Sequence, residues 1–408
     1  ALRRCIHVDP EEFAERHWGR EPLLSRAAGL IAASGEPAGF ADLLSPDDAD
    51  EVLSRRGLRT PFLRIAQKGR VLPAAEFTGS GGAGAEIADQ VVDEQVLARY
   101  ADGATLVLQG LHRLWPPLID FAGRLAGELV APVGVNAYLT PTGNRGFATH
   151  YDTHDVFVLQ VDGRKRWRVY EPVLPDPLER QAWDGRADEV GAAAESPPVH
   201  DVVLEPGDAL YLPRGWLHTA EALGERSLHL TLAVRSTNRY AVVEALLALA
   251  ADEPSLRAGF PFGLDLTDPT ALAPELDATV DALRAWLARA DPDAVATRLR
   301  RREWRGTRPA PIRPVAQAAA MADLDVDDVL AVRTGLRWRI TPADEVRIAL
   351  QLADRTITFP AVCEPALRSL LVGAPVRVGD LPGLEPDDQL TVARRLLREA
   401  VAVPAEKP

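Results

Sequence analysis

Seven short segments rich in Val, Leu, Tyr and Trp follow one another between about residue 103 and residue 235. Gly, Pro and Asp separate them, as in EPGDAL and LPRGWL, and such residues form the turns that end strands. Several short strands at this spacing indicate a β-barrel or a double-sheet sandwich, so this region constrains the fold more than any other. The segments are TLVLQG, VGVNAYLT, THDVFVLQV, KRWRVYEP, DVVLEPGDALYLP, WLHTAEAL and SLHLTLAVR.

Helical patterns flank the β-rich region on both sides. DPEEFAERHW begins with an N-cap aspartate and a proline at the first helical position, and SPDDADEVLSRRG repeats this pattern. After Arg239, apolar residues recur with the helical period in YAVVEALLALAADEP and in residues 274–304. The glycine-rich stretch TGSGGAGAE lacks the GK[ST] of a phosphate-binding loop, so we predict a flexible loop there.

A basic, proline-rich stretch, RGTRPAPIRP, indicates a domain boundary. With 408 residues, the chain is long enough for two or three domains, and we divide it into residues 1–238, 239–304 and 305–408. The first part holds the β-rich domain with its N-terminal helices, and the second is a helical region. The third mixes helices with short strands in the manner of a winged helix, so the predicted fold class is α+β.

The composition indicates which partners and which cellular compartment to expect. A formal net charge of −13 argues against a protein that binds nucleic acid directly, because such proteins present basic surface to the phosphates. Cys5 and Cys363 stand at opposite ends without a CxxC pattern, which fits a reducing compartment. No signal-peptide pattern is visible, and no apolar stretch approaches the ~18–20 residues that span a bilayer. We therefore predict a cytoplasmic protein without a membrane partner.

His150 and Asp152 stand two residues apart in THYDTHDVFVLQV, so in a strand both side chains would lie on one face. A carboxylate buried there is costly without a cation or strong hydrogen bonds. HxD alone is more typical of a hydrogen-bonded strand pair, but here PGDALYLPRGWLH follows and presents His218 after a tight turn. We predict that these three residues bind a metal, because two histidines and one carboxylate are the ligands of non-haem Fe(II) oxygenases. His154 has the same parity, but a fourth ligand would occupy an open position, so we expect it to pack or to line the cleft.

Lys165 is one of three lysines in an arginine-rich chain, and it begins the strand KRWRVY. If it points into a barrel, its ammonium group needs a carboxylate partner, such as a dicarboxylate cosubstrate. Iron oxygenases that use 2-oxoglutarate need an anchor of this kind. The alternative is a surface lysine in the basic turn RKR, and the local sequence does not decide between the two.

Two further sets of polar residues have strand spacing. Each set would share one face, where it could hydrogen-bond a cosubstrate or orient the metal ligands. The alternative is that they are ordinary inward-facing polar residues of a barrel. The sets are Asn136 and Tyr138 in VNAYLT, and Ser227, His229 and Thr231 in SLHLTL.

Together, NAYLTP, GFATHYDTHDVFVLQVDGRKRWRVY, LEPGDALYLPRGWLHTAEA and SLHLTL resemble the JmjC-type ribosomal oxygenases of the cupin superfamily. The helices near residues 240–302 are similar to that family's dimerisation region, and FPAVCEPALRSLLVG with the segments after it to its winged-helix domain. The resemblance implies a double-stranded β-helix barrel and a homodimer. It also implies hydroxylation of an arginine or histidine side chain of a ribosomal protein, with Fe(II), 2-oxoglutarate and O2.

The same resemblance assigns roles to individual residues. The iron ligands correspond to His150, Asp152 and His218, the anchor of the 2-oxoglutarate C5 carboxylate to Lys165, and the cosubstrate pocket to Asn136, Tyr138, His229 and Thr231. An arginine substrate would require an acidic residue in the cleft, for which Asp155 is a candidate. Two alternatives stay open: a hydroxylase of a peptide natural product, and a non-catalytic binding protein that keeps the barrel and the winged helix.

Overall fold

The computed structural model of the protein describes residues 1–37, 39–67, 69–142 and 147–405. The chain divides into two compact units, residues 1–236 and residues 237–408. The first unit contains the β-rich region, and the second contains the helices and short strands that follow it. Within the described ranges, no helix has both the length and the apolar character that crossing a membrane requires.

The first unit combines short helices with antiparallel strands. Its helices are α1 (Pro10–Glu12), α2 (Ala27–Ser34), α3 (Pro46–Arg55), α4 (Asp93–Ala101), α5 (Leu111–Leu114), α6 (Pro116–Leu129) and α7 (Ala187–Ala194). Its strands are β1 (Leu23–Ser25), β2 (Leu63–Gln67), β3 (Arg70–Val71), β4 (Thr78–Gly79), β5 (Gln90–Val91), β6 (Thr105–Leu108), β7 (Val133–Thr140), β8 (Asp155–Asp162), β9 (Lys165–Tyr170), β10 (His200–Leu204), β11 (Ala209–Leu212), β12 (Leu217–Ala222) and β13 (Ser227–Val234).

Two antiparallel sheets form the core of this unit. The larger sheet has eight strands in the order β1-β11-β8-β13-β7-β6-β2-β3, and the smaller has three in the order β10-β9-β12. Each of the seven segments predicted to be β-rich contains a strand of one of these sheets, so that prediction is confirmed. β4 and β5 pair separately, and most of the glycine-rich stretch after β4 is a loop, as predicted.

The central strand β8 is buried on both of its faces, which explains the unbroken apolar run DVFVLQV. Phe157 and Leu159 pack in the main core with residues of the N-terminal helices. Val156 and Val158 pack instead with Trp167 and other residues of the smaller sheet. Because successive side chains of a strand point to opposite faces, β8 separates the main core from the space between the two sheets.

Two expectations about local structure are wrong. Residues 150–154 are not part of a strand, because β8 begins only at Asp155 and His150 forms an isolated bridge with His218. The first third of the chain, which we predicted to consist of helices and loops, also contains β1 to β5. Those strands have only two to five residues each, which is too short for an alternating pattern to stand out.

The second unit begins with helices and continues as a mixed fold. Its helices are α8 (Arg239–Ala250), α9 (Pro269–Leu287), α10 (Pro292–Gly306), α11 (Pro314–Ala322), α12 (Glu364–Val372) and α13 (Pro386–Arg398). Its strands are β14 (Val329–Val332), β15 (Arg339–Pro342), β16 (Arg347–Gln351), β17 (Thr356–Pro360), β18 (Val376–Arg377) and β19 (Ala402–Pro404). They form two sheets, β18-β14-β19 and β15-β16-β17, that share one core with α12 and α13, whereas α9 and α10 bury no residue.

Candidate active site

The three predicted ligands come together because backbone hydrogen bonds join two distant segments. The His150 N–H donates to the His218 carbonyl at 3.2 Å, and the His218 N–H donates to the His150 carbonyl at 2.8 Å. The Gly215 N–H donates to the Asp152 carbonyl at 2.9 Å. The loop before β8 is thus tied to the turn before β12 at both ends of the His-x-Asp segment.

Both histidines have their Nδ1 atoms directed at backbone carbonyls. His150 Nδ1 donates to the Ala148 carbonyl at 2.8 Å, and His218 Nδ1 donates to the Trp216 carbonyl at 3.1 Å. These bonds select the tautomer in which Nε2 carries the free lone pair, which is how outer hydrogen bonds usually prepare a metal-binding histidine. Each Nε2 is therefore available as a ligand atom.

The ligand atoms of His150, Asp152 and His218 all lie within 4.8 Å of one another. Asp152 Oδ2 is 3.7 Å from His218 Nε2, and the two imidazole centroids are 4.5 Å apart. Burial lowers the pKa of His218 to about 4, so its imidazole is neutral at physiological pH. Burial also acts to raise the pKa of Asp152, but the nearby histidines outweigh it and hold that pKa below its usual value. A neutral imidazole and an ionised carboxylate are the forms that bind a metal ion.

The turn at residues 213–215 is held by contacts that only particular residues can make. Gly215 has a φ of +88°, and a Cβ there would lie 2.7 Å from the Leu174 carbonyl oxygen. Asp155, which is 2% exposed, accepts hydrogen bonds from the Arg214 N–H at 3.2 Å and from the Tyr211 hydroxyl at 3.1 Å. Asp155 is therefore occupied in holding this turn and does not line the cleft as the candidate partner of a substrate arginine.

A pocket between the two sheets begins at these ligands and ends at Lys165. It encloses about 550 Å³, part of it open to solvent, and it is lined by Tyr138, Phe147, His150, Asp152, Val156, Val158, Lys165, Trp167, His218, Ala220, His229 and Thr231. Alternate residues of β9 point inward, while the intervening Arg166 pairs with Asp201 on the outside. This arrangement decides between the two interpretations of Lys165, which is 2% exposed and points into the barrel.

The Lys165 ammonium group lies among neutral partners. Its Nζ donates to Thr140 Oγ1 at 3.0 Å and lies 3.5 Å from His229 Nδ1. No carboxylate of the described residues lies within ion-pair distance of it, and burial lowers its pKa to about 7. Burial, followed by the Lys165 charge, lowers the pKa of His229 well below its usual value. The floor of the pocket is therefore a buried amine with space beside it.

Of the other predicted residues, Tyr138, His229 and Thr231 line the pocket, and Asn136 does not. The rings of Tyr138 and His229 stack with centroids 4.9 Å apart. Burial raises the pKa of Tyr138 to about 12, so its hydroxyl stays protonated. Asn136 Oδ1 accepts a hydrogen bond from the Gly110 N–H at 3.1 Å, which places it behind the pocket wall. His154 lies outside the ligand cluster, with Nδ1 3.3 Å from the Asp155 carbonyl oxygen.

Two residues of this site were missed from the sequence. Trp167 lies between His218 and His229, at centroid distances of 5.9 Å and 5.4 Å, and its buried Nε1 has no hydrogen-bond partner in the described structure. Its parity with Lys165 in KRWRVY could have revealed it. Arg64 of β2 lies over Phe147, 5.4 Å from the ring centroid, and interacts with Tyr138. Nothing in LRIAQ indicated that this arginine would reach the pocket region.

Comparison with known proteins shows similarity to a domain family and to several characterised proteins. A family model of the JmjC domain matches residues 120–242, which include the three predicted ligands and Lys165. Ribosomal oxygenase 1 of Homo sapiens is 33% identical over 247 residues, covering 60% of this chain and 35% of the human protein. The bifunctional lysine-specific demethylase and histidyl-hydroxylase NO66 of Drosophila persimilis is 41% identical over 178 residues, covering 41% of this chain and 25% of that protein.

A solved structure resembles the chain over its whole length. YcfD, a ribosomal oxygenase from Escherichia coli, in complex with cobalt and succinic acid, has a TM-score of 0.55 and 19% identity. That likeness covers 98% of this chain and 99% of YcfD, and at this identity it concerns the fold. The curated relatives are matched over less than half of their own length. For example, the alignment with ribosomal oxygenase 1 of Gallus gallus covers 40% of that protein.

Residues 120–242, which include the predicted ligands, are therefore similar to a JmjC domain, and most of them lie in a unit built from mixed helix and sheet. In the part that these comparisons match, the chain is similar to the JmjC-type ribosomal oxygenases.

Proposed function

We propose that the protein is an Fe(II)- and 2-oxoglutarate-dependent oxygenase that hydroxylates an arginine or histidine side chain of a ribosomal protein. One observation carries the proposal: His150, Asp152 and His218 converge at one end of a pocket that has the buried Lys165 at the other. The relatives named ribosomal oxygenase and histidyl-hydroxylase, and the YcfD complex with cobalt and 2-oxoglutarate, support the choice of reaction and cosubstrate.

The donor set fits iron. Two imidazoles and one carboxylate on one side of a pocket leave positions for other ligands, which is the arrangement of non-haem Fe(II) oxygenases. Every ligand is fixed by a backbone hydrogen bond to its side chain or main chain, so little reorganisation would accompany metal binding.

The rest of the pocket fits an organic acid. A buried lysine without a carboxylate partner is costly, and an acid bound beside it would remove that cost. Trp167 lines the same pocket, and its buried Nε1–H, which has no partner among the described residues, is a second donor for a bound acid. The C5 carboxylate of 2-oxoglutarate is the group that we assign to Lys165.

Bound iron, together with 2-oxoglutarate and O2, supplies the oxidising chemistry in such a site. The protein residues provide position and environment. Lys165, whose Nζ donates to Thr140 Oγ1, holds one end of the cosubstrate, and Val156, Val158 and Trp167 form an apolar wall that excludes water. Tyr138 keeps its hydroxyl proton, so it offers a hydrogen bond rather than a negative charge.

Turnover of 2-oxoglutarate to succinate by the Fe(II)-loaded protein tests the class of enzyme. Intact-mass spectrometry of ribosomal proteins incubated with the protein, 2-oxoglutarate and O2 tests the substrate, and we expect one protein to gain the mass of one oxygen atom. Succinate formation without any such gain would favour a peptide natural product as the substrate. Absence of both reactions, with iron bound, would favour the non-catalytic alternative.

The second unit supports a further part of the proposal, in which residues 239–304 form a dimerisation region and residues 305–408 a winged-helix domain. α9 and α10 bury no residue, and apolar side chains remain exposed on α8 and after it, such as Leu247 at 53% and Phe262, which is fully exposed. Exposed apolar surface of this kind marks protein contact sites. We further propose a homodimer in the cytoplasm that does not bind nucleic acid directly.

A further inference from the structure

A second, larger cleft lies in the first unit, away from the metal ligands. Its space is about 2150 Å³, against about 550 Å³ for the pocket that contains the ligands, and both open to solvent. We call it the α3–α4 groove, since these helices provide most of its lining. It is lined by Pro46, Asp47, Asp48, Asp50, Glu51, Leu53, Ser54, Arg55, Arg56, Asp93, Glu94, Val96, Leu97, Tyr100, Leu106, Trp115, Leu139, Asp162, Arg226, Ser227 and Leu228.

The α3–α4 groove has an apolar part that is not fully covered. Leu97 of α4 is 66% exposed, and Tyr100, Trp115 and Leu139 are half-buried. The Arg56 guanidinium group lies 5.7 Å from the Trp115 ring centroid, so Leu97 is the apolar side chain that this groove leaves most exposed. Contiguous exposed apolar surface with a polar rim is typical of sites that bind another protein.

The rim of the groove is acidic. It carries seven carboxylates and three guanidinium groups. All three arginines already have partners, because Arg55 and Arg56 pair with Glu51, and Arg226 pairs with Asp162. The acidic residues left without an ion pair to any described residue are Asp47, Asp48, Asp50, Asp93 and Glu94.

Helix capping explains the positions of some of these acidic residues, but it does not explain all of the acidic and apolar residues that line the groove. Asp48 completes the capping box of α3, and Asp93 and Glu94 lie in the first turn of α4, where a negative charge is favourable. Asp50 lies beyond the first turn of α3 and has no such role. Capping also gives no reason for Leu97 to face solvent beside these charges.

We infer that the α3–α4 groove binds an arginine- and lysine-rich, amphipathic segment of the protein substrate, with its basic side chains on the acidic rim and its apolar ones against Leu97. The inference rests on the proposed function, since ribosomal proteins carry basic surface for RNA. Opposite charges across an interface speed association and select among partners. A segment bound here would hold the substrate while its target residue enters the pocket at His150, Asp152 and His218.

Direct binding to a synthetic peptide tests the groove without any catalysis. The probe is a peptide of about 15 residues, roughly 22 Å as a helix, with alternating pairs of Arg and Leu. Isothermal titration calorimetry with the full chain should show an affinity that falls as salt is raised. The double variant Asp50→Asn/Glu94→Gln should weaken binding about tenfold, and Leu97→Ser should weaken it independently of salt.

A matched control removes the same charges elsewhere in the first unit. Asp120→Asn/Glu15→Gln replaces two exposed acids that lie outside the groove and have no ion pair to a described residue, and it should leave peptide binding unchanged. Equal weakening by both double variants would overturn the inference, because general charge would then account for binding. Loss of self-association, rather than of peptide binding, in Asp50→Asn/Glu94→Gln would assign the groove to a second copy and overturn it as well.

Uncoupled turnover of 2-oxoglutarate separates this inference from the proposed function. Asp50→Asn/Glu94→Gln should turn over 2-oxoglutarate at the wild-type rate, because neither residue lines the pocket at the metal ligands. Wild-type turnover with no peptide binding would overturn the groove alone. Peptide binding that depends on Asp50 and Glu94, in a protein that never turns over 2-oxoglutarate, would support the groove and contradict the oxygenase.

Discussion

At the scale of single residues, the site depends on partners that set protonation and direction. His150 and His218 donate from Nδ1 to carbonyls and so offer Nε2, while Lys165 is buried with only Thr140 and His229 beside it. The sequence shows which side chains are present and therefore which chemistry each can perform. It does not show their protonation states, because these depend on burial and on neighbours from other strands.

Removal of one ligand should abolish iron binding and turnover. His150→Ala or Asp152→Ala should lower Fe(II) affinity by more than the about 10–100-fold that outer-shell substitutions cause. Equilibrium binding of Co(II), followed by absorbance, and succinate formation with Fe(II) are the measurements. His154→Ala is the matched control and should keep both properties, since His154 lies outside the ligand cluster. Activity retained in both ligand variants would exclude this site.

The affinity for 2-oxoglutarate should depend on pH through Lys165. Its pKa in the free protein is lowered to about 7, so the amine is mostly neutral above that pH. A bound carboxylate favours the ammonium form, so binding above pH 7 must take up a proton. The affinity should therefore be constant below about pH 7 and fall by up to about tenfold per pH unit above it.

Calorimetry in buffers of different ionisation enthalpy measures both this affinity and the proton uptake. Lys165→Arg should remove the pH dependence, because a guanidinium group stays protonated throughout this range. Lys165→Ala should raise the 2-oxoglutarate requirement at every pH. A wild-type affinity that rises with pH would contradict the role of Lys165 as the carboxylate anchor.

At the scale of elements, the turn between β11 and β12 decides where His218 lies. Asp155 at the start of β8 holds the Arg214 N–H, and the Asp152 carbonyl holds the Gly215 N–H. The sequence PRGWLH predicts a tight turn, and the structure contains one. The pairing of that turn with the loop before β8 was not predictable, because it joins residues about 60 positions apart through backbone groups that every residue possesses.

Gly215→Ala should destabilise the protein more than a positive φ alone explains. A non-glycine residue at φ +88° costs about 1–3 kcal/mol, and here the new Cβ also meets the Leu174 carbonyl oxygen at 2.7 Å. Gly224→Ala is the control, because Gly224 has a φ of +66° with no atom within 4 Å of the Cβ position. Urea unfolding should show the larger loss for Gly215→Ala, together with weaker metal binding. If both variants lost the same free energy of unfolding, the close contact between the new Cβ and the Leu174 carbonyl oxygen would add no cost.

At the scale of the whole molecule, the chain consists of an N-terminal unit that contains the site and a C-terminal unit with its own core. The mixture of helix and sheet agrees with the α+β class that the sequence patterns indicate. The three-part division at residues 238 and 304, the winged helix and the dimer stay predictions. The exposed apolar side chains of α8 and α9 supply the physical reason to expect a partner there.

Leu247→Glu should convert a homodimer into a monomer if the helical region forms the dimer contact. Leu247 is 53% exposed on α8, so the substitution places a charge in the contact without disturbing the core of the unit. Size-exclusion chromatography with light scattering measures the mass. Val346→Glu, at a residue 70% exposed between β15 and β16, is the control and should keep the wild-type mass. A monomeric wild type would exclude the dimer.

The sequence by itself predicted the strands from β6 to β13, the three candidate ligands that the structure brings together and the unusual lysine. Strand patterns and ligand chemistry are local properties, since they need only residue types and short spacings. Only the tertiary structure decided that Lys165 points inward, that Asn136 lies behind the wall, and that Trp167 and Arg64 belong to the pocket region. It also removed Asp155 from the cleft and opened the α3–α4 groove. These features depend on which distant strands and helices lie side by side, and that arrangement is set by burial across the whole unit rather than by any short stretch of sequence.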